Sequence, residues 1–166
     1  SDVCSSDLLN VTGVESGADV EYSTDNGATW KTTFSAIEGL NTVLVRQTDV
    51  AGNVSGATNY SFTLDTMAAA PGVGLTSDTG SSTTDKVTNV GTLNVTGVES
   101  GAKVEYSIDG GNNWSTSFSA VEGLNTVQVR QTDVAGNVST SSMSLTLDTT
   151  AAAPGVGLSS DAGTST

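Results

Sequence analysis

LNVTGVESGADVEYS at 9–23 returns as LNVTGVESGAKVEYS at 93–107, and VRQTDVAGNVS at 45–55 returns unchanged at 129–139. FSAIEGLNTV at 34–43 returns as FSAVEGLNTV at 118–127. The offset is 84 over these stretches and 83 after the loss of one residue, so that LDTMAAAPGVGL at 64–75 matches LDTTAAAPGVGL at 147–158. Such a period is too long for a helical solenoid repeat or a propeller blade, and suits a β-sandwich that closes on itself.

A natural unit starts near the Pro and ends near the next LDT. Residues 1–66 are then a domain missing its first strand, 67–149 a complete domain, and 150–166 the first strand of a third, with MAAAP as a tie that leaves almost no slack. The opening SDVCSSDL stands where the second copy has DKVTNVGT at 85–92. It reads as translated sequencing adapter, the alternative being a divergent strand, and Cys4 carries no argument.

Within the complete unit several segments alternate with period two, the mark of a half-buried strand. The expected inward residues are Val73 and Leu75; Leu93 and Val95; Val104, Tyr106 and Ile108; Trp114, Thr116 and Phe118; Val127 and Val129; Met143, Leu145 and Leu147. That makes six or seven strands separated by Gly, Asn, Asp and Ser turns, with a helical turn allowed in SSTTDKVTN. The expected fold is all-β, a tandem of immunoglobulin-like Greek-key β-sandwich domains.

Five Lys plus Arg against 18 Asp plus Glu give a formal charge of −13. A surface this acidic builds no phosphate-neutralising patch, which disfavours nucleic acid and anionic membranes. No apolar run is long enough to span a bilayer. With no His and one Cys there is no imidazole base, no His-ligated zinc and no internal disulfide.

STDNGATW at 23–30 and SIDGGNNW at 107–114 resemble the Asp-box of sialidases and related hydrolases. Asp25-Asn26-Gly27 and Asp109-Gly110-Gly111 are hairpin-turn chemistry, and the Trp that follows is expected to cover the core. A sialidase site also needs several arginines, and the chain has Arg46 and Arg130, one per repeat. No nucleophile–base pair is available, so no enzyme is expected.

The acids carry more signal: Asp78 and Asp85 in SDTGSSTTD, Asp133 (like Asp49) in TDVAGN, Asp65 and Asp148 in TLDT. They cap turns, or they bind calcium, a hard ion that takes six to eight oxygens from loops. In an immunoglobulin-like sandwich Asp148 should lie near Asp78 and Asp85, and Asp133 should face Asp65 across the 66–71 junction. Acids on both sides of a short linker repel without metal and are bridged with it.

LDTTAAAPGVGLSSDAG, DTGSSTTDKVTN, VEYSIDGGNNW and VRQTDVAGN together resemble the bacterial immunoglobulin-like repeats of giant surface adhesins, the biofilm-associated and RTX-type proteins exported by type I secretion. The resemblance covers residues 9–166. It implies an extracellular rod of such domains, stiffened by calcium at the junctions, whose direct partners are neighbouring repeats and whose distal region binds a target. Relatives commonly have TTDG where this chain has TTDK, which puts Lys86 beside a candidate ligand. The expected function is therefore a structural extender segment; a carbohydrate- or protein-binding adhesion module is the alternative.

Overall fold

The structure, a computed structural model, describes residues 9–159 and 163. The opening eight residues, and with them the adapter reading, lie outside the described residues. The chain divides into two compact units, Ser1–Met67 and Ala68–Thr166.

In the second unit β4 (Gly72–Leu75) pairs antiparallel with β6 (Leu93–Thr96) as a two-stranded sheet. A second sheet has the order β5-β9-β8-β7, built from β5 (Val87–Thr88), β9 (Val138–Leu147), β8 (Gly123–Thr132) and β7 (Lys103–Ser107). Neighbours in it are antiparallel, except that β5 runs parallel to β9. The chain thus starts in one sheet at β4 and crosses to the other at β5. The peptide N–H groups of Thr146 and Asp148 donate to the carbonyls of Lys86 and Thr88, both at 2.9 Å.

Alternation places the core as the sequence predicts. Val127, Val129, Met143 and Leu145 are buried, with Val73, Leu75, Leu93 and Val95 of the small sheet packed against them. Two sheets therefore share one apolar layer, where each fully buried aliphatic side chain contributes about 2 kcal/mol relative to exposure. Val104, Tyr106, Phe118 and Leu147 complete it, with Tyr106 and Phe118 stacked at 6.2 Å. Ile108 and Thr116 are exceptions to the expected pattern: Ile108 is 74% exposed, because the strand ends at Ser107 and the turn begins, and Thr116 is exposed in the loop after the hairpin. The stretch 81–86 holds bends and no helical turn.

The first unit carries the sheet β1-β2-β3, from β1 (Asp19–Ser23), β2 (Gly39–Thr48) and β3 (Thr58–Leu64). Its registers repeat those of the second unit: Glu21 faces Arg46 as Glu105 faces Arg130. Val43 and Phe34 are buried, and Phe34 meets Tyr22 and Phe62 at 6.1 and 6.2 Å. One segment differs. Leu-Asn-Val-Thr is strand β6 at 93–96, yet the same four residues at 9–12 form no strand.

Candidate functional site

The Asp-box is a closed hydrogen-bond knot in both units. Ser107 Oγ donates to Asp109 Oδ1 at 2.7 Å and accepts from Gly111 N at 2.9 Å. Asn113 donates its peptide N–H to Asp109 Oδ1 at 2.9 Å and its amide to Oδ2 at 2.6 Å. In the first unit Thr29 replaces Asn113, giving its N–H to Asp25 Oδ1 at 2.8 Å and its hydroxyl to Oδ2 at 2.5 Å. The turn needs left-handed backbone at two successive residues, met by Asn26 and Gly27 at φ 58 and 86° and by Gly110 and Gly111 at 75 and 91°. Bonds from Thr29 and then Ser23 hold the Asp25 carboxyl down at about 2. Those from Asn113 and then Ser107 do the same for Asp109, also to about 2. Carboxylates so fully engaged hold no proton at neutral pH and make no general acid for glycoside cleavage.

The Trp that closes each knot corrects a sequence-based expectation. Trp114 donates Nε1–H to Gly111 O at 2.9 Å, and its ring covers the Arg130 guanidinium with 4.1 Å from Cζ to the centroid. Trp30 does the same over Arg46 at 4.0 Å. Arg130 points away from the core layer that Val127 and Val129 enter, so the indole packs on the outer face of the sheet and is only half-buried. Beneath it Arg130 Nη2 meets Glu105 Oε2 at 2.9 Å, and Lys103 Nζ meets Oε1 at 2.8 Å. Hydrogen bonding by Lys103 and then Arg130 keeps the Glu105 carboxyl below its ordinary range. The hairpin therefore braces the sheet.

The candidate metal ligands are spread over loops. Asp133 begins a tight turn after β8: Asn137 gives its N–H to Oδ1 and its amide to Oδ2, both at 2.8 Å. Burial pushes its carboxyl up, but the bonds from Asn137 and from the amides of Gly136 and Ala135 outweigh this and the net shift is down. Asp49 makes the same turn with Asn53 at 2.7 Å. Asp78 Oδ2 accepts from Lys86 N at 2.9 Å, and Asp85 Oδ1 from Val87 N at 3.1 Å. Asp65 Oδ1 accepts from Met67 N at 3.3 Å, and Asp148 Oδ1 from Thr150 N at 3.2 Å. Asp148 N bonds to Thr88 O, so the Asp78–Thr88 loop and the end of β9 share one end of the unit. Among the described residues, no three acidic, His or Cys side chains group as a metal cage. One atom stands out: Asp78 Oδ1 is buried without a hydrogen-bond partner.

Two sheets, a first strand divided between them and a parallel pairing with the last strand make the architecture of an immunoglobulin-like sandwich. Residues 68–149 match the family described as bacterial Ig-like domain. No curated protein matches the chain. Domains of this family are structural and non-catalytic. Among the described residues, no helix is long and apolar enough to cross a membrane.

The Ig-like domain grips the tie that leads into it, a feature the sequence reading missed. Ala69 N donates to Glu99 Oε1 at 2.5 Å, and Gln131 Nε2 donates to Ala69 O. Gln131 is fully buried, and its Oε1 accepts from Glu99 N at 3.0 Å. Pro71 is buried next to this clamp. After the last strand Glu122 accepts from Thr149 N and Oγ1 at 3.1 and 2.9 Å. Glu38 does the same for Thr66 at 3.2 and 2.8 Å. The signal was present: Glu15 and Glu99, Gln47 and Gln131, Glu38 and Glu122 recur at the repeat offset although a solvated face does not require them.

Proposed function

We propose that the chain is a structural extender segment of a secreted bacterial surface adhesin, made of tandem Greek-key Ig-like domains and stiffened by calcium at the domain junctions. The observation that carries the reading is the anchoring of the tie. Thr66 is bonded to Glu38 in its own unit and Ala69 to Glu99 and Gln131 in its own, so only Met67 and Ala68 lie between the fixed points. A joint this short suits a spacer better than a flexible tether. The acidic charge suits a chain exposed to solvent, and the direct partners are neighbouring repeats.

Support for calcium rests on Asp78, whose buried, unpartnered Oδ1 is an acceptor that a cation satisfies. Asp85 and Asp148 share its end of the domain, and Asp65 lies at the exit of the first unit. Asp133 fits less well, because both its oxygens already serve Asn137. Calorimetric titration and small-angle scattering test the reading. Extracellular modules bind calcium at about 0.1–1 mM, so millimolar calcium should bind, lengthen the scattering envelope and raise the melting temperature, with Asp78→Asn weakening all three. A maximum dimension and melting temperature that ignore calcium up to about 10 mM would leave a metal-free spacer.

A further inference from the structure

Asn26–Gly27 is the one Asn-Gly pair in the sequence. It sits at the tip of the first Asp-box hairpin, where Asn26 is exposed. Such a pair is reactive because glycine has no side chain to shield its peptide nitrogen. That nitrogen can attack the asparagine's side-chain amide carbon and close a succinimide ring. In the fold the nitrogen is held. Gly27 N donates to Ser23 Oγ at 2.8 Å, and Gly27 O accepts from Trp30 Nε1 at 3.1 Å. Ser23 is buried and its hydroxyl donates to Asp25 Oδ1 at 2.7 Å, so the bond to Gly27 breaks only when the knot itself opens.

We propose that Asn26 is a self-modification site gated by the Asp-box knot: closed, the knot preserves asparagine, and each opening exposes it to conversion into aspartate or isoaspartate. Gly27 N bonds to Cγ of Asn26, and its proton leaves with the side-chain amino group as ammonia. Water then breaks one of the two ring C–N bonds. Breakage at Cγ leaves aspartate, and breakage at the main-chain carbonyl leaves isoaspartate. One water enters, one ammonia departs and nothing is oxidised. Isoaspartate runs the chain through Cγ and so adds a main-chain carbon. The four-residue spacings that tie Ser23 to Gly27 and Asp25 to Thr29 are then lost, and the knot does not re-form. The product is a permanent record that the hairpin has opened. The second hairpin lacks the site, because Gly110 stands where Asn26 does. Asp109–Gly110 offers the same ring, but the Asp109 oxygens are taken by Ser107 and Asn113, and an ionised carboxylate has no ammonia to release.

The test incubates the full chain in mildly alkaline buffer, native or in guanidinium chloride, and follows position 26 by peptide mapping with mass spectrometry. Conversion should be about tenfold or more slower in the native chain than in the denatured one, since local opening is the gate. Ser23→Ala should speed the native reaction and leave the denatured rate unchanged. Should Ser23→Ala fail to fold, Thr29→Val, which removes the hydroxyl bond to Asp25, makes the same comparison. Chains carrying isoaspartate should lose part of their tryptophan near-ultraviolet dichroism. Asn26→Gly should keep that signal and show no conversion. A native chain that converts as fast as the denatured one overturns the gate, as does a folded Ser23→Ala chain no faster than wild type. Conversion at Asp109–Gly110 as fast as at Asn26 overturns the assignment of the site.

Discussion

Arg130 Cζ stands 4.1 Å from the centroid of Trp114, and Arg46 stands 4.0 Å from Trp30 in the other unit. The pair ties the Asp-box hairpin to the outer face of the sheet. An indole half-buried over a guanidinium loses less on truncation than one filling a core, where about 3–5 kcal/mol is usual. Trp114→Ala should cost about 2 kcal/mol, and a double-mutant cycle with Arg130→Ala should return a coupling of about 1 kcal/mol by urea unfolding. A coupling near zero would mean that the stack is incidental.

Acid should act through the two hairpins. Asp25 and Asp109 are lowered from 3.8 to about 2 in the folded chain. A depressed folded value means that the unfolded chain takes up the protons first. The stabilisation from these groups is thus complete above about 4 and drains away as the pH falls through about 2. The urea midpoint should be flat near neutrality with respect to these groups and fall across that window. Asp109→Asn should lower the midpoint at pH 7 and flatten the acid limb. An unchanged acid limb would assign acid loss to other carboxylates.

Lys86 holds φ at +62°, a left-handed conformation that costs a residue with a Cβ about 1–2 kcal/mol. Its carbonyl accepts from Thr146 and its N–H bonds Asp78, which keeps it there. Lys86→Gly should stabilise the domain by about 1 kcal/mol and raise its melting temperature by roughly 4–8 °C. Lys86→Ala should give no such gain, which separates the backbone effect from loss of charge.

Met143 and Tyr60 occupy matched sites in covered and uncovered sheets. Met143→Ala should cost about 2–5 kcal/mol, and Tyr60→Ala under about 1 kcal/mol. Equal costs in a denaturant series would show that this difference in exposure, 7% against 55%, does not persist in solution.

Strand alternation was legible because each face has one fate: Val127, Val129 and Leu145 follow from period two alone. Trp114 was misread because its run follows a hairpin, where the chain reverses and parity across the turn is lost. Glu105 fell on the solvent face by parity yet is 7% exposed, since Arg130 and Lys103 close over it. Long side chains covering a charge leave no periodic trace. The domain's two-sheet division, with β5 only two residues long, depends on pairing with β9 at a distance of many residues, and local pattern does not report it. The carboxylates could be named from sequence, but whether they meet depends on loop paths set by turns such as Asp133–Asn137.

The parallel contact of β5 with β9 bears on how the domain carries a mechanical load. Tension applied at the entering tie and at the exit after Asp148 drags these two strands lengthwise in opposite directions. Their cross-links, from Thr146 to Lys86 and from Asp148 to Thr88, are then sheared together instead of being peeled one by one. Rupture needs the short ladder to yield as a unit, so resistance under a pull is governed by the height of that barrier and not by equilibrium stability. A domain of quite ordinary folding free energy can in this way hold a taut line.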